Sequence, residues 1–167
     1  MPGVPPVLMP AAHAIQHAVE DAERALDGLS DDEIWTRPGG APPVGFHVRH
    51  LAGALDRLLT YARGEALTEA QRETVKREGE PGDPPPGAGE LLALVRQAAD
   101  TAIAQIRGTP PDSLLDGRAV GRQRLPSTVL GLIVHAAEHA ARHGGQAITT
   151  AHVIRGLREG LLPPYGA

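Results

Sequence analysis

The chain has 167 residues, a length that suits one domain able to bury about 70% of its unfolded surface. Only 2% of the residues are aromatic and 41% are hydrophobic, so alanine and aliphatic side chains must form the core, which favours packed helices over a β-sandwich. The net charge of −4 argues against nucleic acid as a partner. The absence of cysteine excludes disulfides, thiolate metal ligands and a thiol nucleophile belonging to the chain.

The N-terminal decapeptide MPGVPPVLMP lacks the basic region and the apolar run of a signal peptide. No stretch of 18 apolar residues is present that could span a bilayer. We therefore expect a cytoplasmic protein with no membrane partner. A single domain is predicted over residues 1–167, with residues 1–10 flexible.

The prolines fall in clusters that divide the chain. Proline removes a helical N–H donor and clashes with the preceding turn, so a helix is expected only between clusters. The sequence PGDPPPGAG predicts a loop over residues 81–89. The pattern indicates an all-α protein, a four-helix bundle with a long connection between its second and third helices. The four proline-free segments are 11–37, 44–80, 87–109 and 127–162.

Apolar residues recur every three or four positions in these segments, as on one face of an α-helix. In the first segment they are Ile15, Val19, Ala22, Leu26 and Leu29. The second segment has Leu51, Leu55, Leu58 and Ala62, and the third has Leu92, Val95, Ala99, Ala102 and Ile106. No alternating run predicts a strand.

Helix-capping residues refine these boundaries. Ser30 opens an S-x-x-E sequence and Thr68 a T-x-x-Q sequence, each of which predicts the start of a short helix. The polar run from Thr68 to Glu80 is expected to be exposed to solvent. Ser127 is predicted to cap the last helix, which should continue to about Leu157.

Histidines are concentrated on the last helix. His135, His139 and His143 are spaced four residues apart and therefore share a face, which Gln146 continues. An H-x3-H pair can bring two imidazoles to one metal ion, and His50 in the second helix, close to two small residues, is a candidate third ligand. Spacing alone leaves solvated polar histidines as an equally good interpretation.

The remaining histidines have simpler interpretations. His47 lies on the apolar stripe of the second helix, so packing at the end of the bundle is expected. His13 and His17 lie opposite the apolar stripe of the first helix, and a solvated face is predicted for them. His152 is expected at the surface.

Three stretches of the chain resemble the DinB/YfiT-like superfamily of four-helix-bundle metal proteins. They are SDDEIWTRPGG (30–40), VGFHVRHLAGALDRLLTYARG (44–64) and VHAAEHAARHGGQ (134–146). The last stretch matches the family's H-x3-H-x-G-Q pattern, although Gly144 stands where arginine is often found.

The resemblance implies a divalent metal ion held by His50, His139 and His143. Zinc or nickel fits this ligand set best, with iron, cobalt and manganese as further options. Gln146 could orient a ligand imidazole or a bound water, and His135 could do the same or contact a substrate. Members of this family are often labelled metal-dependent hydrolases, and several characterised relatives are transferases or isomerases that use a low-molecular-weight thiol such as bacillithiol or mycothiol.

Two functions of different classes follow from these features. The first is a metal-dependent enzyme acting on a small-molecule substrate in detoxification or stress, as a thiol S-transferase or a hydrolase, with no general base identified. The second is a non-catalytic metal- or ligand-binding bundle of the stress response. The apolar tail LLPPYGA (161–167) suggests a homodimer.

Overall fold

The computed structural model of the protein describes residues 1–161. Within that range the chain forms six α-helices and one two-stranded antiparallel sheet. The helices are α1 (Met9–Leu26), α2 (Asp31–Ile34), α3 (Val44–Ala62), α4 (Glu69–Arg77), α5 (Ala88–Gly108) and α6 (Val129–Arg158). The strands β1 (Gly117–Val120) and β2 (Leu125–Thr128) form a hairpin between α5 and α6.

The four long helices pack as the bundle that the proline-free segments predict. Helices α1 and α3 each pack against both α5 and α6. The pair α1 and α3 therefore lies on one diagonal of the bundle, and the pair α5 and α6 lies on the other. Every long helix contributes fully buried aliphatic side chains to one continuous core, among them Ile15, Val48, Val95 and Ile133. The predicted stripe of α1 is buried along its whole length.

The predicted helix boundaries agree closely with the structure. Capping boxes are formed at Ser30 and at Thr68. Helix α6 is capped one residue later than expected, because the hydroxyl of Thr128 rather than that of Ser127 accepts the N–H of Gly131. The predicted 81–89 loop ends early, since α5 begins at Ala88.

The β-hairpin was not predicted by the sequence. Its strands have four residues each, and Pro126 in β2 is a residue that usually argues against a strand. Each strand pairs only with the other, so the alternating burial of a larger sheet does not arise. The turn between them places Gly121 at a φ of 71°, a conformation that glycine adopts without steric cost.

The N-terminal decapeptide differs from the flexible segment that was expected. Val4 and Leu8 are buried in the core, and a 3-10 turn over Pro6–Leu8 leads directly into α1. The apolar side chains in this segment therefore outweigh its proline content. The tail proposed as a dimer contact lies almost wholly outside the described residues.

No helix in the described part of the chain is both long and apolar enough to cross a membrane.

The close packing of α3 against Trp35 supports a prediction about stability. A Cβ atom at Gly45 would lie 2.7 Å from Cζ2 of Trp35, whose indole N–H donates to the carbonyl of Pro86 and whose ring lies under the Arg49 guanidinium. Because these two contacts hold the indole in place, it cannot easily move away from an added methyl group. We therefore expect Gly45→Ala to lower the free energy of unfolding by about 1–3 kcal/mol. Urea denaturation followed by the fluorescence of this single tryptophan measures the effect.

Gly145→Ala is the matched control for this prediction. Gly145 lies inside α6, it is exposed, and a Cβ atom there would meet no other atom within 4 Å. Its replacement should be neutral or stabilising by up to about 1 kcal/mol, because alanine favours a helix more than glycine does. Equal stabilisation by both substitutions would contradict the proposed steric conflict at Trp35.

Candidate metal centre

Three histidines from two helices converge on one side of the bundle. His50 comes from α3, and His139 and His143 come from α6. Each histidine has one ring nitrogen that could bind a metal ion, and these three nitrogens all lie within 4.8 Å of one another. The Nε2 atoms of His50 and His139 are 2.9 Å apart.

The helical framework explains why these side chains meet. His47 lies opposite His143 and His50 opposite His139, so α3 and α6 run antiparallel. His139 and His143 are one turn apart on the face of α6 that is directed toward α3.

The surroundings of the site keep its α6 imidazoles neutral. Burial, reinforced by the neighbouring His50, lowers the pKa of His139 to about 4. Burial and the same neighbour lower the pKa of His143 to about 3. Both rings are therefore unprotonated near pH 7, the state in which an imidazole binds a metal ion.

The donor set fits a divalent transition-metal ion. Imidazole nitrogens bind zinc at about 2.0–2.1 Å, so two ligand nitrogens lie at most about 4.2 Å apart. The 4.8 Å bound on the three nitrogens exceeds that separation only slightly, so small side-chain rotations complete the site. Zinc, nickel, iron, cobalt and manganese all accept three imidazoles, and the donor set does not choose among them.

Glu78 is a residue of this site that the sequence did not indicate. It follows α4 and is only 3% exposed, although the polar run around it was expected to be solvated. One carboxylate oxygen lies 2.7 Å from Nδ1 of His50, and the other pairs with the Arg57 guanidinium. Burial opposes ionisation, but the hydrogen bonds from His50 and Arg57 outweigh it and lower the pKa of Glu78.

His47 and Phe46 also border the centre. His47 is buried as predicted, but it is not a simple packing residue, because its Nδ1 lies 3.1 Å from Nδ1 of His143. Phe46 stacks on the His50 ring with a centroid distance of 5.3 Å. His47 was expected only to pack at the end of the bundle, and no sequence signal pointed to Phe46.

The residues predicted to assist the site lie at its edge. The His135 ring centroid is 5.8 Å from that of His139, but His135 is exposed and its Nδ1 lies 3.4 Å from the carboxylate of Glu138. Gln146 is exposed and is not among the side chains that contact the three histidines. It lies three residues beyond His143 on α6.

The other histidines are placed as the sequence suggests. His13, His17 and His152 are exposed and do not take part in the cluster. Exposed Glu138, which adjoins His139 in the sequence, pairs with Arg142 on the surface of α6.

The fold is a bundle of four long helices, and two neighbouring helices carry a three-histidine candidate metal site. This combination is that of a helical protein that could bind a metal ion. The family model of the DinB superfamily matches residues 14–147, which include all three histidines. The chain therefore belongs to the DinB superfamily. No curated protein matches the chain at a significant level.

Proposed function

We propose that the protein is a metal-dependent enzyme that transfers a low-molecular-weight thiol to an electrophilic small molecule. The observation that carries the proposal is the convergence of three histidine side chains, among the described residues, at a partly exposed position. Three protein ligands and an open position are typical of catalytic metal sites, whereas structural sites are closed by four ligands. A divalent ion bound there would lower the pKa of a thiol or a water that reaches it.

The accessibility of the histidines supports a catalytic role over simple metal storage. The side chain of His50 is 22% exposed, and His139 and His143 are also only partly buried. A small molecule can therefore approach the ligand nitrogens from solvent. Phe46 provides an apolar wall beside His50 for such a molecule.

The carboxylates near the site favour thiol transfer over hydrolysis. Hydrolysis benefits from a general base that can take a proton from water. Among the described residues, Glu78 is engaged by both His50 and Arg57, and Glu138 is exposed and paired with Arg142. Ionisation of a thiol needs less assistance, and the chain itself contains no cysteine that could supply the sulfur.

The proposed reaction is a substitution at carbon. The thiolate sulfur forms a C–S bond with the electrophilic carbon, the leaving group departs with its bonding electron pair, and the thiol proton passes to solvent. The arginines around the site form bonds within the protein: Arg57 with Glu78, Arg142 with Glu138, and Arg49 with backbone carbonyls. The identity of the thiol is therefore left to experiment.

A conjugation assay tests this proposal. Protein purified without a nickel column is stripped with chelator, reloaded with Zn²⁺ or Ni²⁺, and mixed with 1-chloro-2,4-dinitrobenzene and a panel of thiols. We expect conjugation above the rate of thiol alone, dependent on metal, lost in His139→Ala and retained in His152→Ala. Ester hydrolysis without thiol would instead favour a hydrolase.

Binding without turnover would support the second function. Cobalt(II) in the site gives an absorption spectrum that changes when a thiol binds the ion. A metal-loaded protein whose cobalt spectrum does not respond to any thiol, and which conjugates none of them, would be a non-catalytic metal-binding bundle. That result would overturn the enzyme proposal.

A further inference from the structure

We infer that Glu78 is a positioning residue that fixes the Nδ1–H tautomer of His50 and so directs its Nε2 toward the metal position. The inference rests on the proposed use of His50 as a metal ligand. It assigns a function to the connection between α3 and α5, for which the sequence alone indicated no specific role.

The geometry around His50 leaves one orientation for the ring. Its Nδ1 faces the Glu78 carboxylate at 2.7 Å, and its Nε2 faces His139 at 2.9 Å. An ionised carboxylate can only accept a hydrogen bond, so the Nδ1 atom of His50 must carry a proton. A carboxylate on the outer nitrogen of a metal-binding histidine fixes its tautomer and strengthens it as a ligand.

Three residues of α3, spaced four apart, hold Glu78 in this place. Arg57 forms an ion pair with the carboxylate. Gly53 leaves room for it, because a Cβ atom there would collide with Oε1 of Glu78 and lie 2.6 Å from Nη1 of Arg57. Arg49 donates to the backbone carbonyls of Arg77, Glu80 and Pro81, which fixes the chain on both sides of Glu78.

This anchorage is specific, since apolar packing does not supply it. Helix α4 has no buried residue, and Val75 on it is 44% exposed. Between Arg63 and Pro86, Glu78 is buried and every other residue is partly or fully exposed. A buried carboxylate is costly unless it is paired, so its burial indicates a specific use rather than general packing.

Nitrogen-15 NMR of the histidine rings in metal-free protein tests the inference without reference to catalysis. We expect the His50 Nδ1–H tautomer in the wild type and a loss of that tautomer in Glu78→Gln. The Zn²⁺ affinity, measured by competition with a chelating dye, should fall about 10–100-fold in the same variant.

Gly53→Ala provides a second route that removes no charge. Its added methyl group should push the carboxylate away from His50, so the same tautomer change and the same loss of affinity are expected. Glu73→Gln is the control, because Glu73 forms an exposed ion pair with Lys76 on α4 and should leave both readouts unchanged.

The outcomes separate this inference from the proposed function. If Glu78→Gln and Gly53→Ala are less stable but keep the His50 tautomer and bind Zn²⁺ within about twofold of the wild type, Glu78 is only structural and the inference is wrong. If the wild type binds no Zn²⁺, the proposed function fails, but the tautomer in metal-free protein still decides the role of Glu78.

Discussion

His139→Ala should lower the affinity for Zn²⁺ by at least about 100-fold while leaving the helical content unchanged. His139 supplies one of the three candidate ligands in the described part of the chain, so its loss removes a bond to the metal rather than an outer contact, which alone is worth about 10–100-fold. The half-buried ring also contacts His50 across the helix interface. Elemental analysis and dye competition measure the loss, and circular dichroism checks the fold.

Two further variants make this result interpretable. His50→Ala should have the same effect, because a site between α3 and α6 needs ligands from both helices. His152→Ala removes an exposed histidine of α6 outside the cluster and should bind metal like the wild type. Undiminished binding in both ligand variants would show that the metal is held elsewhere.

The metal-free protein should lose stability steeply as the pH falls from 7 to 5. Burial holds the pKa of His47 at about 4, and the values for His139 and His143 are about 4 and 3. In the unfolded chain these rings titrate near pH 6.5. Below that pH the unfolded state binds more protons, so acid favours unfolding, by about 1.4 kcal/mol per pH unit for each proton taken up.

Urea titrations at half-unit pH intervals measure this slope, above the range in which carboxylates titrate. His47→Gln should reduce the slope by about one third, whereas His17→Asn, which alters an exposed histidine, should leave it unchanged. Saturating Zn²⁺ should stabilise the folded state at pH 7, with a smaller gain as protons compete for the ligands. A free energy of unfolding that does not change between pH 6.5 and 5 would contradict the lowered pKa values of these histidines.

The parts of the fold that depend on local sequence were predictable. Proline clusters marked where helices stop, and apolar spacing marked the faces that Ile15, Leu55 and Val95 bury in the core. The H-x3-H pair of α6 is also local, since one turn of helix fixes the relation of His139 to His143. The small residues Gly53 and Ala54, one turn after His50, made it a candidate third ligand, and the family resemblance then selected it.

The missed features depend on long-range packing. Glu78 meets His50 only because the chain after α4 returns to α3, and the sequence around it is as polar as any exposed helix end. Gln146 is exposed although it continues the face of α6 that carries His139 and His143, so the helical face alone did not predict its burial. The hairpin consists of one pair of short strands. Their sequences do not alternate between apolar and polar residues, so the pattern did not predict them.

Helix α4 buries no side chain, and this has a consequence for how the protein opens. Detaching the segment between α3 and α5 exposes little apolar surface, so the free energy of that opening should depend only weakly on denaturant. Amide hydrogens of α4 should therefore exchange through a local fluctuation at a rate nearly independent of urea, while those of α6 exchange only by global unfolding. The contact between Glu78 and His50 would then break and re-form on a timescale unrelated to the lifetime of the bundle.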